Sequence, residues 1–220
     1  MKKEDWKGVI PAITTPFNDD LSLDLEALSS HVAWMLDSGC RGVVALGSLG
    51  EAATLTFDEK VEILKTCVTA TKGNWPVVAG IASLSTHEAV SLAKAALNAG
   101  CGGLMVLPPY VYRGDWRETE SHVGAIISAT SLSCMIYNNP IAYGTDFTPE
   151  QIKALAETYP NLHAVKESSG DVRRLMAIRG LIKDRLSLMV GVRRQLQQIP
   201  RVLDIAGATG EVTKADSAVA

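Results

Sequence analysis

The sequence predicts an α/β protein, a (β/α)8 barrel that is incomplete at its C-terminal end. Seven short, nearly continuous apolar segments recur at intervals of about 30 residues, and amphipathic helical patterns lie between them. Apolar strands of this kind are typical of parallel sheets covered on both faces, and their alternation with helices indicates βα units. An open doubly wound sheet is the alternative, but it usually has fewer strands, and no GxGxxG motif follows the first segment.

The strands are predicted from their apolar, β-branched composition. In chain order they are "GVIPAIT" (8–14), "GVVALG" (42–47), "PVVAGIA" (76–82), "GLMVLP" (103–108), "SCMIYNN" (133–139), "HAVKES" (163–168) and "LSLMVGV" (186–192). We number them one to seven. All seven βα units are readable, and no eighth strand is.

Helical spacing is clear in four of the intervening segments. They are "LEALSSHVAWMLDSG", "FDEKVEILKTCVTAT", "STHEAVSLAKAALNAG" and "TPEQIKALAETYP". In the third, one apolar face is predicted to contain Ala89, Leu92, Ala93, Ala96 and Leu97. Ser85 or Thr86 can cap the start of this helix and Gly100 its end.

The chain divides into a barrel domain, residues 1–192, and an atypical tail, residues 193–220. Pro200 would interrupt a helix after the seventh strand. A barrel without its closing strand would leave backbone groups unpaired at its edges. We therefore expect a truncated chain, a frameshifted product or a domain fragment, and the sequence does not separate these.

Composition excludes several classes of function. The chain is 47% apolar and 20% charged, with a net charge of -3 and a pI of about 5.8, so neither nucleic acid nor an anionic membrane is an expected partner. The four cysteines form no CxxC pair, the four histidines lack metal-ligand spacing, and no apolar run reaches the roughly 20 residues of a membrane span. The start "MKKEDWKG" does not resemble a signal peptide. We expect a cytoplasmic protein with reduced thiols, no metal and a small-molecule substrate.

Polar residues stand at the C-terminal ends of the predicted strands, where barrel enzymes place their chemistry. They are Thr14 with Thr15, Ser48 between Gly47 and Gly50, Tyr110, Tyr137 with Asn138 and Asn139, and Lys166 with Glu167. Burial of a lysine in an apolar mouth lowers its pKa, and the neutral amine can then attack a ketone to form a Schiff base. Two simpler interpretations stay open: Lys166 pairs with Glu167 or extends to solvent, and Tyr137 is a core aromatic.

Five ordered motifs carry a resemblance to a known family. "GVIPAITTPF", "GSLGEAATLT", "LPPYVY", "MIYNNP" and "VKESSGD" resemble the dihydrodipicolinate synthase and N-acetylneuraminate lyase family of class I aldolases, from about Gly8 to Val192. The resemblance implies a (β/α)8 barrel, usually tetrameric, with no cofactor. It also implies that the lysine of strand six forms an imine with pyruvate or another 2-oxo acid.

The resemblance also implies residue roles. Lys166 is the Schiff-base lysine, Tyr137 the phenol that shuttles protons, and Ser48 with the backbone N–H groups of Leu49 and Gly50 the loop that holds the carboxylate. Tyr110 corresponds to a tyrosine that reaches into a neighbouring subunit's site in the synthase branch.

Two departures from the synthase branch bear on the substrate. That branch has two threonines where this chain has Ser48 and Leu49, and an arginine for the second substrate's carboxylate where this chain has Ala142. Arginine binds a carboxylate in bidentate fashion and alanine cannot. We therefore expect a lyase or dehydratase acting on a 2-keto-3-deoxy sugar acid, or a related aldol pair. Asn139 and Tyr143 either line the acceptor pocket with Thr14 or have plain loop roles.

Two other classes of function remain open. One is a catalytically inactive, truncated family member that acts only as an interaction module. The other is a binding or regulatory barrel that forms no Schiff base.

Overall fold

The computed structural model describes residues 1–191 and 213–214. Its seven strands form one parallel sheet in chain order. They are β1 Val43–Ala45, β2 Val77–Ile81, β3 Gly103–Val106, β4 Ser133–Asn138, β5 Leu162–Glu167, β6 Ser187–Val190 and β7 Thr213–Lys214. The predicted strands two to seven are thus confirmed as β1 to β6. Each observed strand is shorter than the predicted segment or differs from it by one residue at each end.

The first predicted strand, 8–14, is reduced to a single parallel bridge between Ala12 and Val44. Pro11 lies in this segment, and proline has no N–H with which to continue a ladder. Even so, two backbone hydrogen bonds hold the segment against β1, from the Ile13 N–H to the Val44 carbonyl and from the Val44 N–H to the Pro11 carbonyl. It therefore occupies the position of the first barrel strand.

Within residues 1–191, seven helices flank the strands. They are α1 Leu25–Asp37, α2 Phe57–Ala70, α3 Thr86–Ala99, α4 Trp116–Ser128, α5 Pro140–Tyr143, α6 Pro149–Thr158 and α7 Val172–Ile182. The four predicted helices are confirmed as α1, α2, α3 and α6. In α3 the cap residues Ser85 and Gly100 are confirmed, but Leu97 is 41% exposed and lies outside the buried face.

Side-chain capping fixes where most of these helices begin. In α2, α4 and α6 an N-cap side chain and the third helical residue bond each other's backbone N–H reciprocally. The pairs are Thr56 with Glu59, Asp115 with Glu118 and Thr148 with Gln151. Each cap satisfies N–H groups that the helix leaves without a partner, so the end of the preceding loop is sharply defined.

The sheet curls around an apolar interior. One cluster of buried side chains contains a residue from each of β1 to β6 together with Trp6, Ile10 and Ala12. These six strand residues are Val44, Val78, Met105, Met135, Ala164 and Met189. In a flat sheet with strands about 4.8 Å apart, β1 and β6 would be too distant to share a cluster. The fold is therefore a (β/α) barrel with a side-chain-filled interior, as predicted.

A second, larger cluster packs the outer faces of the strands against the helices. All four cysteines are free and buried, as expected. Burial raises the pKa of Cys67, Cys101 and Cys134 to about 12, so these thiols are protonated and unreactive. No helix in the described part of the chain is long and apolar enough to span a membrane.

The predicted tail, 193–220, lies outside the described residues apart from β7. Thr213 and Lys214 pair in parallel with Met189 and Val190 of β6. The sequence analysis predicted no strand at this position. The division between a barrel domain ending at 192 and a separate tail stays a prediction.

Candidate functional site

Lys166 points into the barrel interior near the C-terminal end of β5. It shares a strand face with Ala164, a member of the inner cluster, because side chains alternate along a strand. Only 5% of Lys166 is exposed, and burial lowers its pKa to about 8 by penalising the charged form. A substantial fraction of its amine is therefore neutral near physiological pH.

Glu167 faces the opposite side of β5 and does not neutralise Lys166. Its carboxylate is fully buried, accepts hydrogen bonds from Asn138 Nδ2 at 2.9 Å and the Ser169 N–H at 2.6 Å, and lies 3.5 Å from Arg174 Nε. The interpretation in which Lys166 pairs with Glu167 is therefore wrong. Likewise, the low exposure of Lys166 rules out a side chain that extends to solvent.

Tyr137 is the neighbour of Lys166 across the β4–β5 ladder. The two residues are paired in register, and the Lys166 Nζ lies 4.3 Å from the centroid of the Tyr137 ring. The Tyr137 hydroxyl accepts a hydrogen bond from Asn139 Nδ2 at 3.0 Å. An aromatic ring at this distance stabilises an ammonium or iminium ion.

A one-turn helix, α5, follows β4 and adds a second phenol. Asn139 caps it by accepting the Ala142 N–H at 3.2 Å, and Pro140 occupies its first position, where no N–H is needed. The turn places the Tyr143 ring edge-on to Tyr137, with centroids 5.7 Å apart. Burial is the main cause of a raised pKa for the Tyr143 phenol. Ala142 itself is exposed.

The "GSLG" loop reaches this cluster from β1. Residues Ser48–Gly50 form a single 3₁₀ turn, and the Ser48 Oγ is hydrogen-bonded to the Tyr143 hydroxyl. Thr15 donates its hydroxyl to the Gly50 carbonyl at 2.8 Å and so fixes the loop to the segment after the first predicted strand. Ser48 and Leu49 are exposed, whereas Gly50 is buried.

Tyr110 and Thr14 stand at the margin of the site. The Tyr110 ring centroid lies 5.8 Å from that of Tyr143. Thr14 is exposed, while the adjacent Thr15 is buried. The structure thus gathers Lys166, Tyr137, Asn139, Tyr143 and Ser48 into one group, with Tyr110 touching its edge.

Sequence reasoning missed two further residues beside the lysine. A Cβ placed on Gly191, directly after β6, would lie 2.7 Å from Lys166 Cε and 2.0 Å from Ser168 Oγ. Any larger residue would therefore have to displace the Ser168 hydroxyl and the end of the lysine stem. Ser168 is 1% exposed, and its hydroxyl has no hydrogen-bond partner among the residues that the structure describes. A glycine in the predicted strand "LSLMVGV" was the available signal for close approach.

Among residues 1–191, no group of three or more His, Cys, Asp or Glu side chains is placed to hold a metal ion. His163, on β5, has its Nδ1 2.8 Å from the Ser133 hydroxyl.

The fold and these contacts define a class: an α/β barrel with a buried lysine beside a tyrosine at the C-terminal mouth. A family model described as the dihydrodipicolinate synthetase family matches residues 5–219. The chain belongs to this family. The match extends beyond Val192, where the sequence motifs end, and includes most of the tail.

Curated relatives and solved structures agree with this assignment. The 4-hydroxy-tetrahydrodipicolinate synthases of Agrobacterium fabrum and Chelativorans sp. are 36% and 38% identical over 170 residues, 77% of this chain and 58% of each relative. The structure of 4-hydroxy-tetrahydrodipicolinate synthase from Methylacidiphilum fumariolicum SolV superposes with a TM-score of 0.87 at 27% identity, covering 96% of this chain and 68% of that one. The chain spans about three fifths of the length of the curated relatives it matches.

Proposed function

We propose that the chain acts as a class I aldolase-type lyase, in which Lys166 forms a Schiff base with pyruvate or another 2-oxo acid. One observation carries the proposal: the amine is buried, faces the barrel mouth and has its pKa lowered to about 8. About a tenth of it is then neutral at pH 7, several hundred times the fraction for an ordinary lysine. Neutral amines are the nucleophiles that attack carbonyl carbon.

The chemistry follows from the imine. Lys166 Nζ attacks C2 of the 2-oxo acid and water leaves, which gives a protonated imine. Loss of a C3 proton then moves the C–H electron pair into a C=C bond and yields an enamine. The enamine carbon attacks an aldehyde, and the reverse sequence cleaves a carbon–carbon bond. Tyr137 is the acid–base group in this proposal, because its hydroxyl belongs to the ring that contacts Lys166.

The carboxylate of the 2-oxo acid is assigned to the Ser48–Gly50 turn. The Ser48 hydroxyl and the backbone N–H of Leu49 are the donors, and Thr15 holds the turn in place. The expected contribution of the Gly50 N–H is corrected, because this group donates to the Gly47 carbonyl at 3.0 Å and closes the turn. Leu49 contributes only its backbone, since its side chain is 49% exposed and apolar.

The second substrate is the less constrained part of the proposal. Relatives named 4-hydroxy-tetrahydrodipicolinate synthase suggest dihydrodipicolinate-type condensation. Ala142 argues against it, because an exposed methyl group on α5 cannot bind a carboxylate. We favour aldol cleavage or dehydration of a 2-keto-3-deoxy sugar acid, with the Asn139 amide and the Tyr143 phenol as hydrogen-bonding groups of the pocket.

Assembly into a homo-oligomer is part of the same proposal, and the family resemblance implies a tetramer. Large apolar side chains are exposed on the loops that follow β1 to β4. They are Leu49, Leu84, Val111, Tyr112 and Ile141, with exposures of 49% to 77%. Loops that share one end of a barrel can bury such residues together against another copy. A cytoplasmic location stays a prediction.

Borohydride trapping tests the proposed reaction. The folded protein is incubated with pyruvate, reduced and analysed by intact-protein and peptide mass spectrometry. We expect one reduced pyruvyl adduct per chain, located on Lys166 and absent from Lys166→Ala. A folded wild-type protein that gives no adduct would instead support an inactive family member or a barrel that binds without a Schiff base. A screen of 2-oxo-acid aldols for pyruvate release then identifies the substrate.

A further inference from the structure

Tyr143 occupies a position that the family resemblance left to another subunit. The resemblance implies that a tyrosine corresponding to Tyr110 reaches into this site from a neighbouring copy. In this chain, the Ser48 Oγ is already hydrogen-bonded to a phenol of its own subunit, that of Tyr143. Tyr110 does not take this place within the chain; its ring lies against Tyr143, with centroids 5.8 Å apart.

The contacts of Tyr143 connect it to both sides of the site. Its ring meets the Tyr137 ring edge-on, with centroids 5.7 Å apart, and its hydroxyl is hydrogen-bonded to Ser48. Because Asn139 Nδ2 donates to the Tyr137 oxygen, the O–H of Tyr137 stays available to donate in turn. Three hydroxyls thus follow one another from the lysine to the mouth, where Ser48 is exposed.

The local sequence explains why Tyr143 reaches this position. The Asn139 side-chain oxygen accepts the Ala142 N–H and caps α5, and its Nδ2 donates to the Tyr137 hydroxyl. One amide group therefore fixes both the start of the helix and the phenol of Tyr137. Gly144 ends the turn with a φ of 70°, a left-handed conformation that glycine adopts at little cost. Tyr143, the last residue of α5, is thereby held over the ring of Tyr137.

On the basis of the proposed Schiff-base function, we propose that Tyr143 is the positioning and relay residue that completes the proton path Tyr137–Tyr143–Ser48 within a single subunit. Tyr137 passes its hydroxyl proton to Tyr143, Tyr143 passes its own to Ser48, and Ser48 releases one to water. The Tyr137 oxygen then accepts the C3 proton of the imine as the enamine C=C bond forms. One proton leaves carbon and one reaches water, so each hydroxyl is restored.

Exchange of the pyruvate methyl protons in D2O measures this step without a second substrate. We expect Tyr143→Phe, which keeps the ring, to lower the exchange rate at saturating pyruvate by about 10²-fold while the borohydride adduct still forms. Tyr110→Phe should lower the rate by less. Tyr159→Phe is the matched control, because Tyr159 is the C-cap residue of α6 and packs against the outer cluster, and its exchange rate should equal that of the wild type.

A double variant separates a relay from a packing effect. If Tyr143 and Ser48 act in series, Tyr143→Phe combined with Ser48→Ala should be no slower than the slower single variant. Multiplying losses, or an exchange rate in Tyr143→Phe within threefold of the wild type, would overturn the relay. Tyr143→Phe is used only if its circular dichroism spectrum matches that of the wild type. If it does not, Ser48→Ala, which removes an exposed hydroxyl, replaces it. An exchange rate in Ser48→Ala within threefold of the wild type would then overturn the relay. If the wild type is trapped by borohydride and exchanges protons, but the variants exchange at the same rate, the relay alone is refuted. If the wild type is never trapped, the Schiff-base function is refuted as well.

Discussion

The Nζ of Lys166 lies 4.3 Å from the centre of the Tyr137 ring, and the two residues face each other in register on adjacent parallel strands. This contact joins an amine whose burial is costly to an aromatic ring that stabilises its positive form without neutralising it. A carboxylate at the same place would hold the lysine fully protonated. The arrangement thus lowers the pKa of the amine and still tolerates the cationic imine.

The first prediction concerns the pH dependence of imine formation. The neutral amine reacts, so at subsaturating pyruvate the trapping rate should rise about tenfold from pH 6 to pH 7 and level off above about pH 8, where most of the amine is deprotonated. The measurement is the time course of adduct mass after borohydride quenching between pH 6 and pH 10. A rate that keeps rising through pH 10 would show an ordinary lysine and contradict the assigned pKa.

The second prediction concerns the stability cost of the same lysine. Its folded-state pKa of about 8 lies below the unfolded value, so the unfolded chain binds more protons between pH 8 and about 10.5 and stability rises with pH across that window. Below pH 8 the penalty is fully present. Lys166→Met should therefore raise the free energy of unfolding at pH 7 by up to about 3 kcal/mol while it abolishes trapping.

Denaturant titrations of the wild type and Lys166→Met at pH 7 and pH 10 measure this difference. The advantage of Lys166→Met should shrink at pH 10. Lys94→Met, an exposed lysine on α3, is the control and should change stability by no more than about 0.5 kcal/mol. A less stable Lys166→Met at pH 7 would mean that the lysine is compensated in the folded state.

Periodicity was sufficient to predict the barrel, because parallel strands buried on both faces leave a strong apolar signal. It also placed Lys166 and Tyr137 at strand ends, since strand ends are set by the same pattern. The length of the first strand was overestimated because the prediction used the apolar pattern alone. That pattern takes no account of the N–H that Pro11 lacks for the ladder.

The contacts within the site depend on three-dimensional proximity. Ser48 and Tyr143 were both named as candidates from the sequence, but they are 95 positions apart, so their contact could not be predicted. Gly191 approaches Lys166 from the end of another strand, and the sequence identified it only as a strand position. The position of Tyr143 follows from the cap that Asn139 provides to α5, and a single turn of helix is too short to produce a periodic signal.

The third prediction tests the close approach of Gly191. A methyl group there would lie 2.7 Å from Lys166 Cε and 2.0 Å from Ser168 Oγ, so Gly191→Ala must displace one or both side chains. We expect a loss of about 1 to 3 kcal/mol in stability and at least a tenfold slower trapping rate. Gly180→Ala is the control, because nothing lies within 4 Å of that position on α7, and it should be neutral or stabilising by up to about 1 kcal/mol. Unchanged trapping in Gly191→Ala would show that the lysine does not need this space.

The fourth prediction concerns the arginine behind the site. Arg174 contacts the fully buried Glu167 at 3.5 Å, Asp146 at 2.7 Å and the Phe147 carbonyl, so it joins the end of β5 to the loop after α5. Removing it weakens the compensation of a buried carboxylate, and Arg174→Ala should cost about 3 kcal/mol in denaturant titration. The adjacent Arg173 is the matched control: its side chain is 88% exposed in its pair with Asp171, and Arg173→Ala should cost less than about 1 kcal/mol. Equal losses of stability in the two variants would show that Arg174 stabilises the fold through surface contacts and not through Glu167.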